Sequence, residues 1–364
     1  AGGRKDKTWT PTRIGRGPMI LNAYAVLDGF ISILRFALGA LVVLMGVMAW
    51  RQWSPELSPE KKKSLEDRYY LLFLQAFLLL GLNLFSWPIF YLLLESYVPE
   101  WPGAMCVFGV TRVGAGTVGS SRFLPVLVKV LEVTKPAVIF LAGAWFVLYL
   151  VNRRTATYPL MRRVLGAAVA LGLLVGLDSA AEAAYLVIPK TEKFLSTGCC
   201  TAVYNASSRP SKLPESLLGL PYRSLLYGGY YWVNIGMAAL LAGYTFLPKV
   251  RPGKKWLVPL LAGAVISMII SGLFLVEIAA PTILQLPYHH CPYDLISEAP
   301  DSLVAAGLFV LGCFSIGWAV VVYGLAKCGE TEPFLAEFIR KLMSIALVCY
   351  LGSVVMMTLE LQLA

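Results

Sequence analysis

The stretch WLVPLLAGAVISMIISGLFLV, residues 256–276, runs without a single charged side chain. About 20 such residues are what a helix needs to cross the hydrocarbon core of a bilayer. Working outward from it, comparable apolar spans fall at about 20–50, 69–98, 126–151, 160–188, 221–247, 256–286, 296–326 and 334–362. The 364 residues are 58% hydrophobic and only 14% charged, whereas soluble domains carry roughly a quarter charged residues. A soluble globular protein, a disordered chain and a collagen-like chain are all excluded. The expected fold is all-α, a polytopic bundle of about eight transmembrane helices with the lipid bilayer as its first partner. Pro88, Pro136 and Pro281 are candidate kink points.

The net charge of +10 is spread between the spans and forms no stripe, which argues for a topological role and against a nucleic-acid partner. The first 18 residues are polar and basic and carry no pattern of a cleavable signal peptide. Lys and Arg divide into two groups. The N-terminal segment and the short connections near residues 51–68, 153–163, 249–255 and 327–341 hold 21, against 8 in or beside the connections at about 99–125, 189–220 and 287–295. Read by the positive-inside rule, this predicts a plasma (inner) membrane protein with a basic cytoplasmic segment 1–19, both termini cytoplasmic, and the three long connections outside. Loops held by a scaffold carry function, so the outer face is where a site is expected.

Of seven cysteines, Cys313 and Cys349 lie within spans and Cys328 at an inner end, where a thiol is usually a small hydrophobe. Cys106, Cys199, Cys200 and Cys291 all fall in outer connections, and the only histidines, His289 and His290, directly precede Cys291. Three chemistries fit this set. Pairs among the four outer cysteines make structural disulfides in an oxidising compartment; a redox-active pair passes electrons to a membrane carrier; or Cys199, Cys200, His289, His290 and Cys291 hold a soft metal such as copper, zinc or mercury. A C-x-x-C spacing is absent.

In its second half the chain resembles the vitamin K epoxide reductase family. The carriers are Cys199-Cys200-Thr-Ala-Val-Tyr204-Asn205, Gly219-Leu220-Pro221 leading into Tyr227-Gly228-Gly229-Tyr230, and His290-Cys291-Pro292-Tyr293-Asp294-Leu-Ile-Ser297. The resemblance covers about residues 160–326 and implies that spans four to seven form a four-helix, quinone-reductase-like bundle. It would divide the chain into spans one to three (20–158, outer loop 99–125), the bundle (159–326, outer loops 189–220 and 287–295) and a last helix (327–364). Spans one to four and five to eight are the other possible halves. Asp294 stands where the family has the second cysteine of its C-x-x-C. By resemblance Cys291 is then the thiol nearest a quinone, Cys199 or Cys200 its exchange partner, and Asp294 or a histidine the proton-handling group.

Ionisable residues inside spans are costly and usually functional. Asp28, Arg35, Glu132, Lys135, Asp178, Glu182, Glu277 and Glu360 are such residues, with Glu95 near an outer end. Asp178 and Glu182, four apart, share a helix face and suggest a proton path, a cation site, or a pair neutralised by Lys135 or Arg35. Glu132 and Lys135 are expected to pair with each other. Gly114-Ala-Gly116-Thr-Val-Gly119 matches a dinucleotide-binding pattern but lies outside any strand–helix unit. It reads as a flexible or close-packed loop, and haem is not expected with only two adjacent histidines. Three functions remain open: a thiol–disulfide or quinone-linked redox protein; a soft-metal transporter or chaperone passing its cargo along Glu95, Asp178, Glu182 and Glu277; and a non-catalytic subunit docking a periplasmic partner.

Overall fold

The structure, a computed structural model, describes residues 21–54, 58–101, 104, 106–114, 119–189, 218, 220–247, 253–286 and 289–364. Its eight long helices are α1 (Ala23–Gln52), α2 (Pro59–Ser96), α4 (Leu124–Arg153), α5 (Met161–Val187), α6 (Arg223–Phe246), α7 (Lys254–Phe274), α10 (Asp301–Leu325) and α11 (Glu332–Leu363). Short helices α3 (Val107–Thr111), α8 (Ala280–Ile283) and α9 (Pro292–Glu298) lie in or beside the long connections. No strand occurs among the described residues. All eight long helices are long and apolar enough to cross a membrane, α7 with its continuation to Ile283. A multi-pass helical membrane protein follows, because lipid offers no partners to backbone polar groups and a helix satisfies them internally. Phe30, Ile33, Phe85, Trp232 and Val348 are exposed on outward faces, as lipid contact requires.

The helices pack as two sequential halves. In the first, α5 packs on α1 and α4, and α1 on α2; in the second, α6 packs on α7 and α11, and α10 on α7 and α11. A seam between α4 and α10 joins them, where the Trp318 indole donates to the Phe140 carbonyl at 2.8 Å. The bundle expected from spans four to seven is therefore not the packing unit. The reason is local to α5, whose most extensive contact is with α1. A Cβ at Gly172 would stand 2.7 Å from the Gly39 carbonyl oxygen, so small residues let the two backbones nearly touch. Buried ion pairs described below bind the same two helices.

Helix ends settle which connections share a face. Asn22, which caps α1 by accepting from the Ala25 amide at 2.8 Å, also donates to Ser96 Oγ at the far end of α2. At the other terminus the Ala364 carbonyl accepts from Gln285 Nε2 at 2.8 Å, beside the connection that carries His289 to Cys291. Both termini thus lie on the face of the cysteine-bearing connections. This corrects the expected topology: α1 crosses once, so its first residues and the α1–α2 turn are on opposite faces. A cytoplasmic start of α1 and outward Cys106 and Cys291 exclude each other.

Two outcomes test this architecture. Tags at both termini should react with a membrane-impermeant reagent from the same side, and a tag in the α1–α2 turn only from the other. Gly172→Leu should lower the thermal midpoint by an amount equivalent to about 1–3 kcal/mol, the usual cost of overpacking, and Gly176→Leu, where a Cβ meets nothing within 4 Å, should not.

Candidate functional site

On the cysteine face, two segments distant in sequence converge. Cys106 precedes α3, and Cys291 precedes α9, whose first residue is Pro292. Both cysteines are buried, and together with Phe108 and Tyr293 they form a small apolar cluster of their own. Asp294, in the first turn of α9, completes the set: Cys106 Sγ, Cys291 Sγ and a carboxylate oxygen of Asp294 all lie within 4.8 Å of one another. Asp294 also bonds His289 Nε2 at 2.6 Å, a short bond. Two thiols, a carboxylate and an imidazole are thus connected in sequence, thiol to carboxylate to ring.

His290 is held apart from this group by the backbone of the second half. Pro281 has no N–H and its ring crowds the preceding turn, and α7 answers by continuing as a π-helical turn, Leu275–Ala279. There the Ala280 amide bonds the Leu275 carbonyl, so the Val276 carbonyl loses its usual donor. His290 Nδ1 takes that carbonyl at 2.9 Å, and Arg223 Nη2 approaches His290 Nε2 at 3.3 Å. A carbonyl only accepts and a guanidinium only donates, so the ring carries its proton on Nδ1 and both nitrogens are committed. His290 is consequently not part of the expected metal set. The π turn also presents Glu277 inward, where it is fully buried and accepts from the Leu218 amide at 3.3 Å.

Beside the thiols a cavity of about 590 Å³ runs between α3, α4 and α9. Phe108, Val128, Tyr293 and Ile296 supply apolar wall, and Arg112, Arg122 and Lys129 line it as cations. Exposed Phe123 and Val126 flank it on the lipid side. Glu132 does not pair with Lys135 as expected. It accepts instead from the Tyr293 hydroxyl at 2.7 Å across this cavity. Burial first, and then the Glu132 charge, push the Tyr293 phenol well above its ordinary range, so it remains a donor at any working pH.

Deeper in the first half lies a second polar group. Arg35 of α1 donates to Glu182 Oε2 at 2.6 Å and to Asp178, both on α5; to Asn83 and Ser86 of α2 at 2.6–3.0 Å. Lys135 of α4 reaches Glu182 at 2.9 Å, Ser86 at 2.8 Å and Asp178 at 3.5 Å, while Thr134 donates to Asp178. All of these side chains are buried. The expected neutralisation of Asp178 and Glu182 by Arg35 or Lys135 is what the structure contains, with both cations engaged.

The four carboxylates expected along one route are not gathered. Asp178 and Glu182 are bound to cations, Glu95 is exposed at the end of α2, and Glu277 belongs to the other half. Cys199 and Cys200 lie outside the described residues. Cys313 is buried with its sulfur 3.1 Å from the Tyr350 hydroxyl, and Cys328 sits in the α10–α11 turn beside Thr331. Gly114 and Gly119 have positive φ, and a Cβ on Gly114 would collide with the Ser121 carbonyl, which fits a close-packed loop. Sequence reasoning missed Asn83, Ser86, Thr134, Tyr293 and Arg223. The three-residue spacing of Asn83 and Ser86 inside an apolar span was the available signal.

No family model, no curated protein and no solved structure matches this chain.

Arg35→Leu should destabilise the first half by about 3–5 kcal/mol, the usual cost of leaving a buried partner charge uncompensated. Arg35→Lys should recover only part of it, since an ammonium cannot span Asn83, Asp178 and Glu182 at once. Thermal or denaturant unfolding in detergent measures both, and an unaffected Arg35→Leu would refute the assigned role.

Proposed function

We propose that this protein is a membrane-embedded thiol oxidoreductase linked to a quinone, with Cys106 and Cys291 as its redox pair. The observation that carries the reading is the convergence of the two buried thiols with Asp294, backed by His289, beside a cavity with apolar walls near the lipid. In the oxidative half-reaction Asp294 takes the proton of one thiol, since the thiolate is the reactive form. The sulfurs join as a disulfide, and two electrons with two protons pass to the quinone, which leaves as quinol. His289 positions Asp294 and shares the proton it receives. Tyr293, its hydroxyl held by Glu132, would supply aromatic wall to the quinone ring, and Arg112, Arg122 and Lys129 would donate to a quinone carbonyl and favour the negative charge that develops during reduction. Cys199 or Cys200 serves as the exchange partner that renews the pair from a periplasmic protein. The resemblance of His290-Cys291-Pro292-Tyr293-Asp294 to the vitamin K epoxide reductases supports the same chemistry, with Cys106 in place of the missing second cysteine of C-x-x-C.

For the orientation we propose a plasma membrane whose cytoplasmic side is the short-turn face. The cysteine face and both termini are then outside, in an oxidising compartment. Alkaline phosphatase fused to the C-terminus should be active there and green fluorescent protein dark.

A soft-metal site is the second reading, favoured by the ligand set itself: two thiolates and a carboxylate suit zinc or copper(I), with His289 holding Asp294 from behind. One experiment separates the two. Protein reduced with dithiothreitol, freed of reductant and mixed with a short-chain ubiquinone should reduce about one equivalent in a single turnover. Cys106→Ser and Cys291→Ser should each abolish this, and Cys199→Ser should not. Asp294→Asn should slow it by roughly 10²-fold, the scale of a lost general base. No quinone reduction, together with one equivalent of zinc or copper that disappears in Cys291→Ser, would replace the redox reading by the metal one.

A further inference from the structure

The buried polar group of the first half contains one carboxyl more than it has cations. Arg35 and Lys135 face Asp178 and Glu182, two charges of each sign. Asp28, one helical stretch earlier on α1, is the fifth ionisable side chain. It is 0% exposed, and among the described residues neither of its oxygens meets a hydrogen-bond donor. α1 packs on α5 at this level, where a Cβ on the adjacent Gly29 would meet Leu186 Cδ1 at 3.5 Å, so the Asp28 carboxyl falls on the Glu182 side of the network.

Three helices contribute the ionisable groups that face this part of α1. From α5 come Asp178, Glu182 and Tyr185; from α4, Lys135, with Thr134 spent on Asp178; from the end of α2, Tyr97. None of them supplies a further cation. Two ionised carboxylates are acceptors only and repel each other, so the approach of Asp28 to Glu182 has no favourable term as it stands. A single proton changes this: one carboxyl becomes a donor to the other, and the five groups sum to zero charge. In a bilayer interior, an uncompensated charge is the costliest arrangement available.

We propose that Asp28 and Glu182 form a proton-binding site inside the membrane, one proton being shared between them within an otherwise neutral ion-pair network. Each residue lies five positions from the cysteine-face end of its helix, about 7.5 Å along the axis, so the proton exchanges with that face, past Tyr97 and Tyr185. Loss of the proton leaves the network one negative charge in excess, and α1, α2, α4 and α5 all hold a piece of that network.

Infrared spectroscopy of the full chain in lipid nanodiscs tests this at neutral pH. The carbonyl stretch of a protonated carboxyl should be present, should shift in deuterated water, and should lose one carboxyl's intensity in Asp28→Asn. Because an amide N–H replaces the acid O–H as donor to Glu182, Asp28→Asn should keep the thermal midpoint of the wild type, whereas Glu182→Gln, which strips Arg35 and Lys135 of an acceptor, should lower it. A difference spectrum without a lost carboxyl band, or an Asp28→Asn variant as destabilised as Glu182→Gln, would overturn the proposal. Aspartate-selective carbon-13 labelling of the wild type reads the same band without any variant: the band must move with the label, and a band that does not move assigns the proton elsewhere.

Discussion

The guanidinium of Arg35 is the point on which the first half turns. Lipid cannot solvate it, so it must be met on every side by protein, and the four helices of that half each contribute to doing so: α2 with Asn83 and Ser86, α5 with Asp178 and Glu182, α4 through Lys135 beside the same carboxylates. Such contacts require α1 and α5 to run nearly in touch, which Gly39 and Gly172 permit. A packed apolar interface alone would leave helices in lipid with little preference for one partner, since lipid tails are as apolar as leucine. The buried charges supply that preference. They explain why α5 completes the first half and does not open the second.

The thiol site depends on the same scaffold at one remove. Cys106 follows α2 and Cys291 follows α7 and α8, so the two sulfurs come from different halves. Their proximity is a product of how the halves abut along α4 and α10 and of the Tyr293 hydroxyl reaching Glu132 on α4. A shift between the halves would separate the thiols before it disturbed either bundle. This gives the site a mechanical link to the rest of the molecule that a motif contained in one loop would lack.

Much of this was legible in the residues. Eight apolar spans announced eight membrane helices, and Asp178 with Glu182 at a spacing of four announced a buried acidic face. Cys106 and Cys291 were rightly placed on one face, because the alternation of their connections with short basic turns needs only counting. What failed was the pairing of a cytoplasmic start with outward cysteines, since the tally grouped the start of the chain with turns that a single crossing separates from the first residues of α1. The partner of Cys291 was open as well. Among the described residues Cys106 reaches it because α3 lies against α9, a tertiary matter with no local pattern. Lys135 was misassigned to Glu132 for a related reason: a neighbour three positions away is visible in sequence, and a stronger acceptor on another helix is not.

The π turn at Leu275–Ala279 amounts to a helix carrying one residue more than its hydrogen bonds can count. Deleting a single position there would restore a regular helix and, with it, rotate everything downstream by about 100° and retract it by about 1.5 Å. Glu277 would swing from the interior, and His290 would be drawn away from the Val276 carbonyl. The arrangement of the second half around that imidazole is therefore encoded less by the histidine than by the length of the segment before it, so that a shortened chain with every functional side chain intact would still have lost the geometry.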